Sequence, residues 1–199
     1  MDSASRRVIE HAPLVLADFD GTIASLRTDW NDLKRRLAGL CGARDWPWDE
    51  GRGLDQNLRR VRSTHGEGAF LSLCRVVAEA EIAGFQGAAV STELVTMLRD
   101  RAGEPTAIVT NNTKSGVQRI LKHPIFAGLD VRVIGKEDVA RSKPSPDGLI
   151  RACQLYVASP RATVFIGDAD TDEQAAQLAG IGIFIRAPRP GHTTLRMAA

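Results

Sequence analysis

No stretch of this 199-residue chain approaches the eighteen consecutive apolar residues a membrane-spanning helix needs, so no membrane partner is expected. An excess of one charge is also missing. Lys and Arg number 26 against 24 Asp and Glu, and a net charge of +2 is too weak a field to argue for nucleic acid as the main partner. Cysteines are few: Cys41, Cys74 and Cys153 stand far apart, form no CxxC pair, and cannot all pair within one chain. That argues against a disulfide framework or a zinc site and fits buried or free thiols in a reducing compartment. The opening MDSASRRVIEHAP carries no apolar stretch ahead of a small-residue cleavage site, so no secretory signal is expected and a cytoplasmic setting fits. Internal repeats and low-complexity tracts are absent as well. The length suits one compact domain carrying a modest insertion.

What is present is a repeated grammar. Leu14-Val15-Leu16-Ala17 is a short apolar run that stops at Asp18-Phe19-Asp20-Gly21-Thr22. Thr106-Ala107-Ile108-Val109 runs into Thr110-Asn111-Asn112, and Thr163-Val164-Phe165-Ile166 into Gly167-Asp168. Ile181 to Ile185 ends at Arg186, and the weaker Val131-Arg132-Val133-Ile134 ends at Gly135. Such runs, bounded by turn residues, predict strands buried on both faces. Helical patterns separate them. One spans Ser91 to Arg101, a second is capped by Thr113, a third opens at Pro146, and a fourth starts at Asp170 or Thr171 and stops at Gly180. The alternation implies an α/β fold, a doubly wound parallel sheet whose ligands gather at the carboxyl ends of the strands.

Residues 24–84 break the pattern. They show no convincing strand and read as helices near 29–40, 54–63 and 67–83, with a turn at Trp46-Pro47-Trp48. The expectation is a core of 1–23 and 85–199 carrying a small inserted all-helical cap of 24–84. Residues 1–12 read as a mobile leader and 187–199 as a loosely held tail.

The polar clusters carry the chemistry. Asp18 and Asp20 flank a single phenylalanine, and two carboxylates so close repel unless a cation lies between them. A hard divalent ion with oxygen ligands, such as Mg²⁺, resolves that conflict. One acid can then stay ionised and attack phosphorus while the other supplies and recovers a proton. Gly21 and Thr22 suit a sharp exit that leaves backbone N–H groups facing an anion. A solvated Asp-rich turn is the other reading of this motif. The Thr110 hydroxyl and the Asn111 N–H can hold a phosphate oxygen, or Thr110 can be an ordinary strand-end cap. Lys143 lies among prolines in Arg141-Ser142-Lys143-Pro144-Ser145-Pro146, so its ammonium can be aimed at a carboxylate cluster and a phosphoryl group; alternatively it is a surface loop lysine. In Gly167-Asp168-Ala169-Asp170-Thr171-Asp172, Asp168 is placed to ligate a metal and Asp172 to support the site one turn on. Asp170 can be no more than a helix-starting acid. An EF-hand calcium loop fails here, because Glu173 stands where it needs glycine and Ala179 where it needs a bidentate acid.

Taken together, in the order DxD, Thr, Lys, GDxxxD from about Leu14 to Ile185, these motifs resemble the haloacid dehalogenase superfamily of phosphohydrolases. The resemblance implies a Rossmann-like core with strand order 5-4-1-2-3 and a phosphatase acting on a small phosphorylated metabolite. It implies an aspartyl-phosphate on Asp18 and acid–base work by Asp20, with Thr110 binding the phosphoryl group and Lys143 neutralising it. The Mg²⁺ would be held by the Asp18 carboxylate, the Asp20 backbone carbonyl and Asp168. The true dehalogenases lack the second acid of the first motif, so Asp20 favours phosphate ester hydrolysis. The insert's position is similar to that of the helical-cap, phosphoglycolate phosphatase-like group. The insert is short, however, and Ile23-Ala24-Ser25-Leu26 replaces that group's acidic residue after Thr22. A sugar-phosphate mutase and a catalytically retired regulatory module on the same scaffold are the alternatives. Either a monomer or a homodimer is compatible.

Within the insert, His65 sits in a flexible-looking turn where it can touch substrate or simply be solvated. Arg59, Arg60 and Arg62 can greet an anionic substrate or form a solvated face, since residues 23–84 as a whole hold ten basic and nine acidic residues. Trp30, Trp46 and Trp48 can build the insert's core, face the substrate or meet another subunit.

Overall fold

A computed structural model describes residues 2–191. Five strands form one parallel sheet: β1 (Leu14–Ala17), β4 (Thr106–Val109), β5 (Arg132–Ile134), β6 (Thr163–Gly167) and β7 (Ile183–Arg186), in the order β5-β4-β1-β6-β7. Counted along the chain as strands one to five and read from β7, this is the expected 5-4-1-2-3. Two two-residue strands, β2 (Ala24–Ser25) and β3 (Ala89–Val90), form a separate antiparallel pair too short to leave a pattern in the sequence. The helices are α1 (Ser3–His11), α2 (Trp30–Gly42), α3 (Leu54–Phe85), α4 (Thr92–Asp100), α5 (Lys114–Ile120), α6 (Asp147–Leu155) and α7 (Asp170–Ala179). None is long and apolar enough to cross a membrane.

Alternate residues of each strand face opposite sides of the sheet. Val15, Ala17, Ile108, Val164 and Ile166 pack with α4 and α5 on one side. Leu14, Leu16, Ala107, Val109 and Phe165 pack with α6 and α7 on the other. This two-sided burial is why the strands read as continuous apolar runs. A third cluster, built on Leu33, Leu37, Cys41, Leu58, Val61, Phe70, Leu73 and Cys74, holds α2 against α3, with Trp30, Trp46 and Trp48 half-buried around it. All three cysteines are free and buried.

Along α3 the two expected helices meet at Gly66, whose backbone is not helical (φ 80°, ψ 179°). His65 ends the first of these helices, directly before the break, and its ring stands 5.9 Å from that of Trp46. The lower part of α3 lies close against α5. A Cβ at Gly116 would come within 3.3 Å of the Ala78 Cα and 2.6 Å of a Glu81 carboxylate oxygen, so only glycine permits the approach.

The expected mobile leader is ordered. Asp2 caps α1 by accepting from the Ser5 N–H at 2.7 Å. Buried Arg101 donates to the carbonyls of Ile9, of Glu10 at 3.2 Å and of Ala12 at 2.8 Å, and also reaches the Thr106 hydroxyl. The leader has too few apolar residues to announce a helix; a distant arginine holds it. The start of the expected loose tail is also held. Ala187 and Pro190 are buried, and the Ser25 hydroxyl donates to the Pro190 carbonyl at 3.0 Å. The remainder of that tail, 192–199, lies outside the described residues.

Replacing Arg101 with Met should strip three helix-end carbonyls of their donor and cost about 2–4 kcal/mol of stability. Amide exchange over residues 3–11 should accelerate more than over β1 or β6. Unchanged exchange in α1 would mean that its own capping and packing suffice.

Candidate active site

The strand ends converge on one edge of the sheet, at a cavity of about 470 Å³ whose lining includes Asp18, Asp20, Thr110, Lys143, Asp168 and Asp172. Asp18 is the first residue after β1; its N–H still bonds the Ile166 carbonyl at 2.8 Å, so the strand ladder fixes it in place. The chain then turns on Gly21 (φ +90°), where a Cβ would fall 2.5 Å from an Asp168 carboxylate oxygen. Glycine is needed there both for its backbone conformation and for the space. Gly21 and Thr22 form the expected sharp exit, and the N–H groups of these two residues close the turn. Gly21 N–H donates to Ala24 O at 2.8 Å and Thr22 N–H to Phe19 O at 3.3 Å, so the turn is closed upon itself. The buried Thr22 hydroxyl contributes instead, 3.2 Å from Asp168 Oδ1 and 3.4 Å from Asp18 Oδ2.

Lys143 is buried, with its Nζ 2.5 Å from Asp18 Oδ1 and 2.5 Å from Asp172 Oδ1. Its loop is brought there by Asn111, whose side-chain amide donates to Lys143 O at 3.0 Å and accepts from Lys143 N–H at 2.8 Å. Asp172, on the first turn of α7, also accepts from Ala169 N–H at 3.0 Å. It thus supports the site by holding the lysine. Carboxylate oxygens of Asp18, Asp168 and Asp172 all lie within 4.8 Å of one another. Asp168 Oδ2 receives Arg189 Nε at 2.5 Å, a cation drawn from the segment after β7. An all-oxygen donor set of this spacing, already attracting positive charge, suits a hard divalent cation.

Burial pushes the Asp18 carboxyl up to about 6, against the pull of Lys143 and with a further push from Asp172. Burial also opposes the charge on Lys143, but Asp18 and Asp172 outweigh it and hold its pKa above the ordinary value. Asp20 is raised by its partial burial, although its Oδ1 accepts from Leu26 N–H at 2.9 Å. Thr110 Oγ1 lies at the cavity and donates to Asn112 Oδ1 at 2.8 Å.

Behind Thr110 lies a group the sequence reading did not find. Glu81 of α3, fully buried, accepts from Asn112 Nδ2 at 3.0 Å and from the Thr113 N–H and hydroxyl. An acid four residues after Val77, on a face otherwise apolar, is the signal that was available. Buried Lys136 stands beside it and pairs with Asp55 at 2.9 Å. Asp170 points outward and pairs with Arg186, as befits a helix-starting acid. Among the insert residues, Trp30 and Arg59 line the cavity, whereas His65, Arg60 and Arg62 are not part of its lining.

Comparison with known proteins gives consistent results. The profile of the haloacid dehalogenase-like hydrolases matches residues 13–180. The phosphoglycolate phosphatase of Pseudomonas putida is 27% identical over 186 residues, covering 84% of this chain and 66% of that protein. That of Escherichia coli K12 is 36% identical over 78 residues, 39% of this chain and 31% of that protein. The chain spans less than two thirds of the length of either. Among solved structures, CbbY from Rhodobacter sphaeroides in complex with phosphate has a TM-score of 0.55 at 22% identity, covering 94% of this chain and 92% of that one. A HAD family hydrolase from Deinococcus radiodurans with bound phosphate and sodium has a TM-score of 0.54 at 21% identity, covering 92% and 83%. At these identities the likeness is one of fold.

A carboxyl near 3.8 in the unfolded chain and about 6 in the folded one favours folding while protonated. That contribution is complete below about 3.8 and is lost as the pH rises through 6. Above pH 7, ionised Asp18 should weigh against folding of the metal-free protein. Asp18→Asn should therefore melt higher than wild type at pH 8 without divalent metal, with the gap closing toward pH 4. A variant that melts lower at pH 8 would contradict the assigned electrostatics.

Proposed function

Because the chain belongs to the haloacid dehalogenase-like hydrolases, we propose that it is a Mg²⁺-dependent phosphatase that hydrolyses a small phosphate monoester through an aspartyl-phosphate on Asp18. The observation that carries this reading is the placement of the Lys143 ammonium 2.5 Å from both Asp18 and Asp172, with Asp168 beside them at one strand edge. A buried carboxylate with one oxygen pinned by a lysine and the other near a hydroxyl is held in position to act as a nucleophile. The phosphoglycolate phosphatases among its relatives make a phosphatase of that group the reading to test first.

In this reading an Asp18 oxygen forms a bond to phosphorus as the bond from phosphorus to the ester oxygen breaks. Asp20, its carboxyl raised by partial burial, passes a proton to the leaving alkoxide. Water then attacks the aspartyl-phosphate, Asp20 takes a proton from it, and phosphate leaves with Asp18 restored. Lys143 balances charge on the phosphoryl oxygens, and Thr110 with Asn111 binds them. Asp18, Asp168 and the Asp20 carbonyl would hold the Mg²⁺, with Asp172 behind as the anchor of Lys143. The ion supplies charge neutralisation that lets an anionic nucleophile approach an anionic phosphate.

Phosphate release from a panel of phosphorylated metabolites tests this. Chelation of divalent ions should abolish turnover and Mg²⁺ should restore it. Asp18→Asn should remove all measurable activity, and Asp20→Asn should lower kcat by roughly 10²- to 10⁴-fold. Turnover retained in a folded Asp18→Asn protein would refute the nucleophile assignment.

A further inference from the structure

Among the described residues, Glu81 is the only buried acid outside the Lys143 cluster. It is fully buried and is not part of the cavity lining, so it does not meet a ligand there. A carboxylate withdrawn from water is costly unless donors and a counter-charge surround it. Lys136, itself buried, supplies the charge. The donors come from two neighbouring residues: Asn112 Nδ2 at 3.0 Å, the Thr113 N–H at 3.1 Å and the Thr113 hydroxyl.

These donors lead to different places. The Thr113 hydroxyl also accepts from the Gly116 N–H at 3.2 Å and caps α5, so that arm serves the fold. The Asn112 arm leads to the cavity. Because an ionised carboxylate can only accept, the Asn112 amide turns its nitrogen to Glu81 and its oxygen to Thr110. Asn112 then grips the Thr110 hydroxyl twice. Its Oδ1 accepts the hydroxyl proton at 2.8 Å, and its backbone N–H donates to the hydroxyl oxygen at 3.1 Å. A phosphoryl oxygen is an acceptor like Oδ1, so it can take that proton by rotation about the Cβ–O bond while the Thr110 oxygen keeps its place.

We propose that Glu81 is a positioning residue: by holding the Asn112 side chain, it fixes the Thr110 hydroxyl where it binds the transferring phosphoryl group. The proposal rests on the phosphatase reading above and extends the phosphoryl site to a residue of α3 that never touches the ligand.

The test compares a variant that only fills the space with one that can still hydrogen-bond. The probes are 4-nitrophenyl phosphate and the panel of phosphorylated metabolites, with Mg²⁺. Glu81→Met should lower kcat by roughly 10- to 100-fold, because a misplaced group at the reacting centre costs rate. Glu81→Gln should recover most of kcat. Its amide oxygen can accept from Thr113, and its nitrogen can donate to an Asn112 amide that has turned over and still holds the Thr110 oxygen. In a Thr110→Ala background, Glu81→Met should cost less than about 3-fold, since the group it positions is gone. Asn112→Ala cuts the same link, spares the Thr113 bonds, and should show the same loss and the same coupling; it carries the test should a buried methionine prevent folding. An unchanged kcat in folded Glu81→Met or Asn112→Ala would overturn the positioning role and leave the phosphatase reading intact. So would losses that multiply in full with that of Thr110→Ala. No turnover of any probe by the folded wild type would overturn both.

Discussion

Three carboxylates whose oxygens lie within 4.8 Å of one another cannot share a largely buried strand edge without positive charge among them. The Lys143 ammonium supplies the first instalment, touching Asp18 and Asp172 together. Arg189 adds a second at Asp168. Much of the local architecture follows from this requirement. Asn111 grips the lysine's own backbone, Thr22 bridges two of the acids, and glycine at position 21 leaves room for Asp168. The members come from the ends of β1, β4 and β6, the loop before α6 and the start of α7. Only a parallel sheet, with its strand ends on one side, gathers such distant stretches so closely.

A second buried polar network ties α3 to this edge. Glu81, deep on α3, binds Asn112 and Thr113 immediately beyond Thr110, with Lys136 and Asp55 continuing the network along the cavity wall. Burial raises the Glu81 carboxyl, while the Lys136 charge and the donors of Thr113 and Asn112 oppose that rise. The same helix carries Arg59 farther up. One element therefore touches both the loop beside the expected phosphoryl site and the opposite part of the cavity.

The sheet and the motif-bearing strand ends were legible because their signals are local. An apolar run buried on both faces, cut short by Asp, Thr or Gly-Asp, needs no partner to be recognised. The resemblance to a family supplied the strand order. What escaped was set by contacts across long sequence separations. Helix α1 is held by Arg101, some ninety residues away, and nothing in SASRRVIEH announces it. The segment 187–191 reads as a loose proline-rich tail until Ser25 and Asp168 are seen to bind it. Likewise, Arg59, Arg60 and Arg62 are indistinguishable in sequence; the partners of Arg62 and the place of Arg59 in the cavity wall tell them apart.

The closed turn after β1 has a thermodynamic consequence. Because the N–H groups of Gly21, Thr22, Ile23 and Ala24 close the turn and Asp18 is still fastened to β6, the carboxylate is stationed before any ligand arrives. Little conformational entropy remains to be surrendered there on association. Affinity for the reacting group can then come from electrostatics alone, and discrimination among ligands is left to whatever the far wall of the cavity can recognise.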